Sequence, residues 1–150
     1  MTITIKAASH ADRSDWKKLW AENRVHFGAG DMKEAVIAGL WQRVLDPSSP
    51  MNAWLAFRAG EPVGLAHTIL HPHTFSLRLA CYLEDLWVSP LHRGRGIATR
   101  LIGHLSVLGG QEGWRRLYWE TAEDNAAARR LYDRVATLRP MATYEIELAH

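Results

Sequence analysis

The chain has 150 residues, 47% of them hydrophobic and 23% charged, which suits a single globular domain over residues 1–150. A formal net charge of +2 is too balanced to indicate a nucleic-acid binder. There is neither the apolar run of roughly 20 residues that spans a membrane nor the apolar stretch of a signal peptide. The lone Cys81 cannot form an internal disulfide, which fits a reducing compartment. Together, these features predict a cytoplasmic protein without nucleic-acid or membrane partners.

Turn signals divide the first half of the chain into short elements. β-branched residues alternate at the start, Ser9 can cap a helix, and apolar residues then recur twice at helical intervals. Two strands that follow are joined by a turn containing glycine and proline. The predicted elements are a strand over 2–7, helices over 9–26 and 32–45, and strands over 52–58 and 63–70.

The second half of the chain alternates between strands and helices. The predicted elements are a strand over 79–88, a helix over 96–109, a strand over 115–120, a helix over 125–135 and a closing strand over 143–148. An antiparallel meander followed by strand–helix–strand crossovers predicts an α/β domain of three layers. Its mixed, mostly antiparallel sheet should have about six to seven strands, with helices on both faces.

The turn before the helix over 96–109 has the chemistry of a phosphate-binding site. Gly94 and Gly96 let the backbone bend and let a ligand come close, while the first amides of the helix have no internal partners. The helix dipole, Arg93 and Arg95 add positive charge, so the turn favours a diphosphate. The turn does not fit a P-loop, because it lacks Gly-Lys-Ser/Thr at the start of the helix. It does not fit a dinucleotide-binding fold either, because that motif needs a glycine where Thr99 stands. An ordinary connector with solvated arginines is the alternative.

Two motifs together resemble those of one enzyme family. Residues 93–98 fit Arg/Gln-x-x-Gly-x-Gly/Ala, and residues 125–132 fit Asn-x-x-Ala-x-x-x-Tyr. Both are signatures of the GNAT superfamily of N-acetyltransferases, and the strand, long helix and strand around them are similar in order. The resemblance is best over 79–134. The family often continues with Gly-Phe, whereas this chain has Ala136 and Thr137.

Narrower resemblances lie within the same stretch. Residues 82–88, Tyr-Leu-Glu-Asp-Leu-Trp-Val, are similar to a segment of the diamine (spermidine/spermine) acetyltransferases and their thialysine-acetylating relatives. Residues 118–121 and 131–133 resemble a related microbial branch that acetylates polyamines, histones or D-amino acids.

The resemblance implies acetyl-coenzyme A (acetyl-CoA) as co-substrate and a GNAT-like fold. The backbone of the strand before the turn would pair with the pantetheine arm, and the amide of Val88 would stabilise the oxyanion. The implied cofactor-binding residues are Leu86, Trp87, Val88, Arg93, Gly94, Arg95, Gly96, Ile97, Ala98, Thr99 and Asn125.

Acetylation of an amine needs a group that removes a proton, because a lysine-like amine has a pKa of about 10.4. Glu84 is the candidate base, and Glu84 and Asp85 are both candidates to bind a cationic substrate. A strand-end salt bridge is the alternative for the pair. Regular alternation along the strand predicts that Glu84 and Asp85 face opposite sides of the sheet. On this pattern one side carries 82, 84, 86 and 88, and the other carries 81, 83, 85 and 87.

Tyr132 is the candidate acid for the leaving thiolate, since a tyrosine with a pKa of about 10 can protonate a thiolate of about 8.5. A core aromatic on the helix stripe is the alternative, and Asn125 suits a helix cap as well as a cofactor contact. No metal is expected, because the two histidines at 71 and 73 lack ligands at suitable spacing.

The sequence therefore predicts transfer of an acetyl group to a primary amine of a small cationic molecule, such as a polyamine, lysine analogue or amino acid. Two alternatives remain: the same chemistry on a protein amine, and a non-catalytic acyl-CoA-binding regulatory module. Related enzymes are often dimers, so a homodimer is expected, and the seven tryptophans are compatible with one. Among them, Trp20, Trp41 and Trp87 are candidates to line an acceptor pocket.

Overall fold

The computed structural model describes residues 2–149, and its contacts divide the chain into two compact units, Met1–Glu120 and Thr121–His150. The first unit contains a five-stranded sheet in the order β1-β2-β3-β4-β5. Its strands are β1 (Thr4–Ala7), β2 (Met51–Arg58), β3 (Glu61–Pro72), β4 (Leu79–Val88) and β5 (Arg116–Tyr118). Neighbouring strands are antiparallel from β1 to β4, and β4 and β5 are parallel.

The helices of the first unit are α1 (Arg13–His26), α2 (Glu34–Leu45) and α3 (Ile97–Glu112). Short 3-10 turns at His10–Asp12 and Pro90–His92 precede α1 and α3. The second unit contains α4 (Ala126–Val135). None of the helices in the described part of the chain is long and apolar enough to cross a membrane.

One face of the sheet carries a core rich in tryptophan. The side chains that α1, α2 and the sheet bury there are Trp16, Leu19, Trp20, Ile37, Trp41, Val44, Ala53, Leu55, Leu65 and Trp87. Trp16 and Trp41 are in ring contact, with centroids 5.0 Å apart. Large aromatic rings bury much apolar surface each, so this cluster stabilises the layer of α1 and α2 on the sheet.

The opposite face of the sheet holds α3 at close range. A Cβ atom added at Gly64 of β3 would lie 3.0 Å from Cγ2 of Ile97 and 3.2 Å from Cδ1 of Leu101. The absence of a side chain at Gly64 therefore lets the start of α3 approach the sheet. With helices on both faces of a mixed sheet, the predicted α/β class is confirmed.

The strand count is smaller than predicted, because the sheet has five strands rather than six or seven. Within residues 121–149 no strand is formed, so the predicted strand over 143–148 is wrong. Its apolar residues Tyr144, Ile146 and Leu148 are exposed. Alternating apolar residues create the pattern of a strand, but a strand also needs a neighbour for its backbone hydrogen bonds.

Candidate active site

A β-bulge in β4 shapes the region that carries the two candidate carboxylates. Thr68 of β3 lies opposite Leu83, but the preceding residue, His67, lies opposite Asp85. Glu84 is therefore an extra residue in β4 without a partner in the register. Such bulges bend the strand and redirect side chains, and they are over-represented next to active sites.

The bulge reverses the alternation of β4, so the predicted grouping of 81, 83, 85 and 87 on one face is wrong. His67 and Thr68 are adjacent on β3 and face opposite sides: His67 accepts from Trp16 of α1, whereas Thr68 accepts from Trp54, whose ring contacts His104 of α3. The residue opposite each of them on β4 faces the same side of the sheet as its partner on β3. Leu83 therefore lies on the α3 side and Asp85 on the α1 side, because the extra residue shifts the two-residue period by one.

Neighbouring charged groups act on Glu84 at this bulge. Partial desolvation raises the pKa of Glu84, and the negative charge of Asp85 raises it further. His67 opposes these effects, and Glu120 adds a smaller increase. Burial also raises the pKa of the neighbouring Tyr82, with further contributions from Glu120 and Glu84. A carboxyl whose pKa is raised toward neutral is a better match for proton transfer at physiological pH.

Asp85 is held by a buried histidine. Nδ1 of His67 lies 2.9 Å from Oδ2 of Asp85, and Nε2 of His67 accepts a hydrogen bond of 2.9 Å from Nε1 of Trp16. The side chain of His67 is fully buried, and that of Asp85 is one-quarter exposed. Sequence reasoning missed His67 and Glu120. The signal for His67 was a titratable residue inside an otherwise apolar strand.

β4 and β5 part soon after they pair. β5 lies beside β4 only from Ala80 to Tyr82, where the partners are Arg116, Leu117 and Tyr118. In the described structure, residues 83–88 of β4 therefore have no strand on that side. Backbone groups at such an open edge can bind an extended ligand as an added strand would. The predicted contacts at 86–88 lie on this edge.

The end of β4 is fastened to α1 by Glu22. Nε1 of Trp87 donates to Glu22 over 3.1 Å, and Oγ of Ser89 donates to its two carboxylate oxygens over 2.7 and 2.9 Å. Arg93 lies back against the same strand end. Its Nε donates to the carbonyl oxygen of Val88 over 3.2 Å, and its guanidinium lies 4.7 Å from the centre of the Trp87 ring.

The turn before α3 has the backbone that a phosphate site needs. Gly94 and Gly96 have φ angles of 74° and 76°, in the left-handed region that favours glycine. α3 begins directly after Gly96, so the amides of Ile97, Ala98 and Thr99 have no partner within the helix. Together with the cationic side chains of 93 and 95, these amides suit a pyrophosphate. The residues present therefore fit the group that the motif implies.

The second unit contains the other two predicted site residues. Oδ1 of Asn125 accepts a hydrogen bond of 3.2 Å from the amide of Ala128, so Asn125 caps α4 as its residue type favours. Tyr132 lies on the same helix and is half-buried. Burial raises the pKa of its phenol, which keeps the hydroxyl protonated and able to donate.

Within residues 2–149 no three histidine, cysteine or acidic side chains converge as ligands for a metal ion. His71 instead contacts Tyr118, with 2.6 Å between Nε2 and the phenol oxygen, and His73 contacts Ser76.

Comparison with models of known protein families identifies the family of the chain. The model of the "Acetyltransferase (GNAT) family" matches residues 14–136. The chain belongs to the GNAT acetyltransferase family. It is therefore an acetyl-CoA-dependent N-acetyltransferase, and the family and enzyme class expected from the motifs are confirmed.

Relatives of this GNAT acetyltransferase act on different amines. D-amino-acid N-acetyltransferase HPA3 of Saccharomyces cerevisiae is 30% identical over 136 residues, which cover 89% of this chain and 84% of that protein. An aminoglycoside acetyltransferase, HMB0005, from an uncultured soil metagenomic sample is 25% identical, with a TM-score of 0.82 over 99% of this chain and 100% of its own.

The fold is shared more widely than the sequence. AAC(6')-Iy, solved with the bisubstrate analog CoA-S-monomethyl-acetylneamine, is 15% identical to this GNAT acetyltransferase, with a TM-score of 0.84 over 99% of this chain and 100% of its own. At that identity the likeness shows the fold alone.

Proposed function

We propose that the protein transfers the acetyl group of acetyl-CoA to a primary amine of a small cationic acceptor, such as a polyamine, a lysine analogue or an amino acid. The observation that carries this proposal is the group of carboxylates Glu84, Asp85 and Glu120 around the bulge in β4. Such a group attracts an ammonium ion and disfavours an anion. The 30% identity to a D-amino-acid N-acetyltransferase supports amino acids within this class.

Acetyl-CoA supplies the acetyl group as a thioester. On this proposal its pyrophosphate is held by the turn before α3, through Gly94, Gly96 and the free amides of 97–99, with Arg93 and Arg95 as cationic partners. The open edge of β4 at 86–88 pairs with the pantetheine arm, and Asn125 adds a polar contact.

Glu84 is proposed to remove the proton from the acceptor ammonium, directly or through a water molecule. Its raised pKa and its place beside Asp85 support this role. The amide of Val88 is proposed to donate to the thioester oxygen as negative charge develops there, since fixed backbone donors stabilise such charge by several kcal/mol.

Tyr132 is proposed to protonate the departing thiolate. Its half-buried phenol with a raised pKa supports a protonated donor. Tyr132→Phe removes the hydroxyl and keeps the ring, so we expect kcat to fall about 10²-fold while the affinity for coenzyme A stays within about twofold. Stopped assays of thiol release and calorimetric titration with coenzyme A measure the two. Unchanged kcat would remove Tyr132 from this role.

The acceptor class is tested with purified protein and acetyl-CoA, by following free thiol across a panel. The panel contains spermidine, D-lysine, L-lysine, thialysine, neutral D-amino acids and a lysine-containing peptide. We expect the small cationic amines to give the highest kcat/KM. A preference for the peptide would instead favour a protein substrate. Coenzyme A binding without transfer to any amine would favour a regulatory module.

We further propose that the protein acts in the cytoplasm as a homodimer. The support is the resemblance to enzymes that are often dimers. The tryptophans add nothing to it, because each of the seven is buried or half-buried.

A further inference from the structure

The buried histidine beneath the carboxylates has a hydrogen-bonding role that its neighbours fix. His67 lies in the middle of β3 with a fully buried side chain, and both ring nitrogens have partners at 2.9 Å. Trp20 packs edge-on against the ring, with centroids 4.9 Å apart and planes at 73°. Trp16 and Trp20 of α1 therefore enclose the ring on one side, and Asp85 of β4 lies on the other.

The chemistry of the two partners determines where the histidine proton lies. An indole N–H can only donate, so Nε2 of His67 must accept the hydrogen bond from Trp16 and carry no proton. The proton of the neutral ring is then on Nδ1, from which it is donated to Oδ2 of Asp85. A cationic ring would carry a second proton on Nε2, which would point at the indole N–H of Trp16 and could not form a hydrogen bond with it.

We infer that His67 is a positioning residue that Trp16 holds as the neutral Nδ1–H tautomer, and that it orients the Asp85 carboxylate at the bulge to bind the ammonium group of the acceptor. A cationic histidine would cancel the charge of Asp85, whereas a neutral one fixes the carboxylate and leaves its charge available. Asp85 is partly exposed, so it can meet an acceptor while one oxygen stays held.

Besides His67, other titratable groups lie near this carboxylate. Tyr82 and Glu84 precede Asp85 on β4, and Glu120 lies just beyond β5. Asp85 and Glu120 raise the pKa of Glu84, and a cationic His67 would oppose them, so a neutral His67 leaves the negative charge beside Glu84 available to an arriving ammonium ion.

The tautomer can be measured without any acceptor. Histidine labelled with ¹⁵N is incorporated into the wild type and into His67→Gln, and the signal lost in the variant is assigned to His67. At neutral pH we expect the shifts of a protonated Nδ1 and an unprotonated, hydrogen-bonded Nε2. A proton on Nε2, alone or together with one on Nδ1, would overturn the inference.

Two conservative variants separate positioning from packing. In His67→Asn the amide nitrogen can replace Nδ1 as donor to Asp85, whereas in His67→Gln the amide oxygen can replace Nε2 as acceptor from Trp16. D-lysine is the acceptor probe, with saturating acetyl-CoA. This arm rests on the proposed function, and the NMR arm does not.

We expect His67→Gln to raise the KM for D-lysine about tenfold, the effect of losing a hydrogen bond to a charged group, with kcat within about twofold and the KM for acetyl-CoA unchanged. His67→Asn should keep the KM for D-lysine near the wild-type value and lower Tm, because the indole N–H of Trp16 is left buried without an acceptor. Thermal melts of both variants verify folding.

An unchanged KM in His67→Gln, or equal increases in both variants, would contradict a positioning role. If the wild type does not acetylate D-lysine, the proposed acceptor class fails for this amine, and the NMR measurement alone then decides the assignment of His67.

Discussion

The charge on Glu84 depends on its neighbours, so its proposed role as the base predicts an activity that depends on pH. Because desolvation and Asp85 raise its pKa, the carboxylate needed as a base forms only at a higher pH than that of a free glutamate. In Asp85→Asn the repulsion is gone, so the acidic limb of the kcat profile should move to lower pH. The profile is measured with saturating acceptor, since Asp85 is also proposed to bind it.

Two matched variants complete that test. Glu120→Gln removes a weaker repulsion and should move the limb in the same direction by less. Glu84→Gln should lower kcat about 10²-fold and abolish the limb. A limb that stays in place in Glu84→Gln would mean that another group is the base.

The same raised pKa predicts an effect on stability. The folded protein binds the Glu84 proton more tightly than the unfolded chain, so stability is lost as pH rises through the pKa of the folded state. At neutral pH, Glu84→Gln should therefore melt at a slightly higher temperature than the wild type, and the difference should vanish in acid. Calorimetry at the two pH values measures it, and a lower Tm in the variant at neutral pH would contradict the prediction.

At this scale the sequence singled out two of the three carboxylates around the bulge, but not Glu120 and not how they are arranged. Glu84 and Asp85 stand next to each other in a strand that leads into the phosphate turn, and a motif pointed to them. The bulge leaves no mark on the alternation of apolar residues, so Asp85 was grouped on one face with residues 81 and 83, which lie on the other. His67 was missed because its partners are 51 residues away at Trp16 and 18 away at Asp85.

Among the elements, the join between β4 and α3 carries the clearest prediction. Gly96 has a left-handed φ of 76°, and nothing lies within 4 Å of a Cβ added there, so strain and not collision opposes a side chain. Gly96→Ala should cost about 1 kcal/mol of stability and weaken the binding of coenzyme A. Calorimetric titration and thermal melts measure the two effects.

Gly103 in α3 is the matched control for that substitution. It is exposed, has ordinary helical backbone and likewise has open space where a Cβ would be. Gly103→Ala should raise stability by roughly 0.5–1 kcal/mol and leave coenzyme A binding unchanged. Equal behaviour of the two variants would show that the backbone of the turn is unimportant.

Local patterns predicted most elements because each carried its own signal. Apolar residues at helical spacing marked α1, α2 and α3, and a glycine turn marked the hairpin of β2 and β3. The segment over 143–148 was the exception. Its alternation satisfies the rule for a strand, but whether a strand forms depends on a neighbour that no local pattern specifies.

For the whole molecule, a homodimer remains the prediction. We expect light scattering after gel filtration to give twice the mass of one chain, constant over a tenfold range of concentration. A single-chain mass throughout that range would contradict it.

The α/β class followed from the order of elements, whereas the family followed from two motifs that the family match then confirmed. Neither the order of elements nor the motifs identified the acceptor, because neither specifies the side chains of an acceptor pocket.

The stacking of Arg93 on Trp87 gives the molecule an optical property. Tryptophan emission responds to a charge above the indole ring, and here the guanidinium lies 4.7 Å from the ring centre. On the proposed function, the same guanidinium moves toward the pyrophosphate when coenzyme A binds. The intrinsic fluorescence of the protein should then change on titration with coenzyme A, and Trp87→Phe should lose most of that change. The enzyme would thus report the occupancy of its own site without a label.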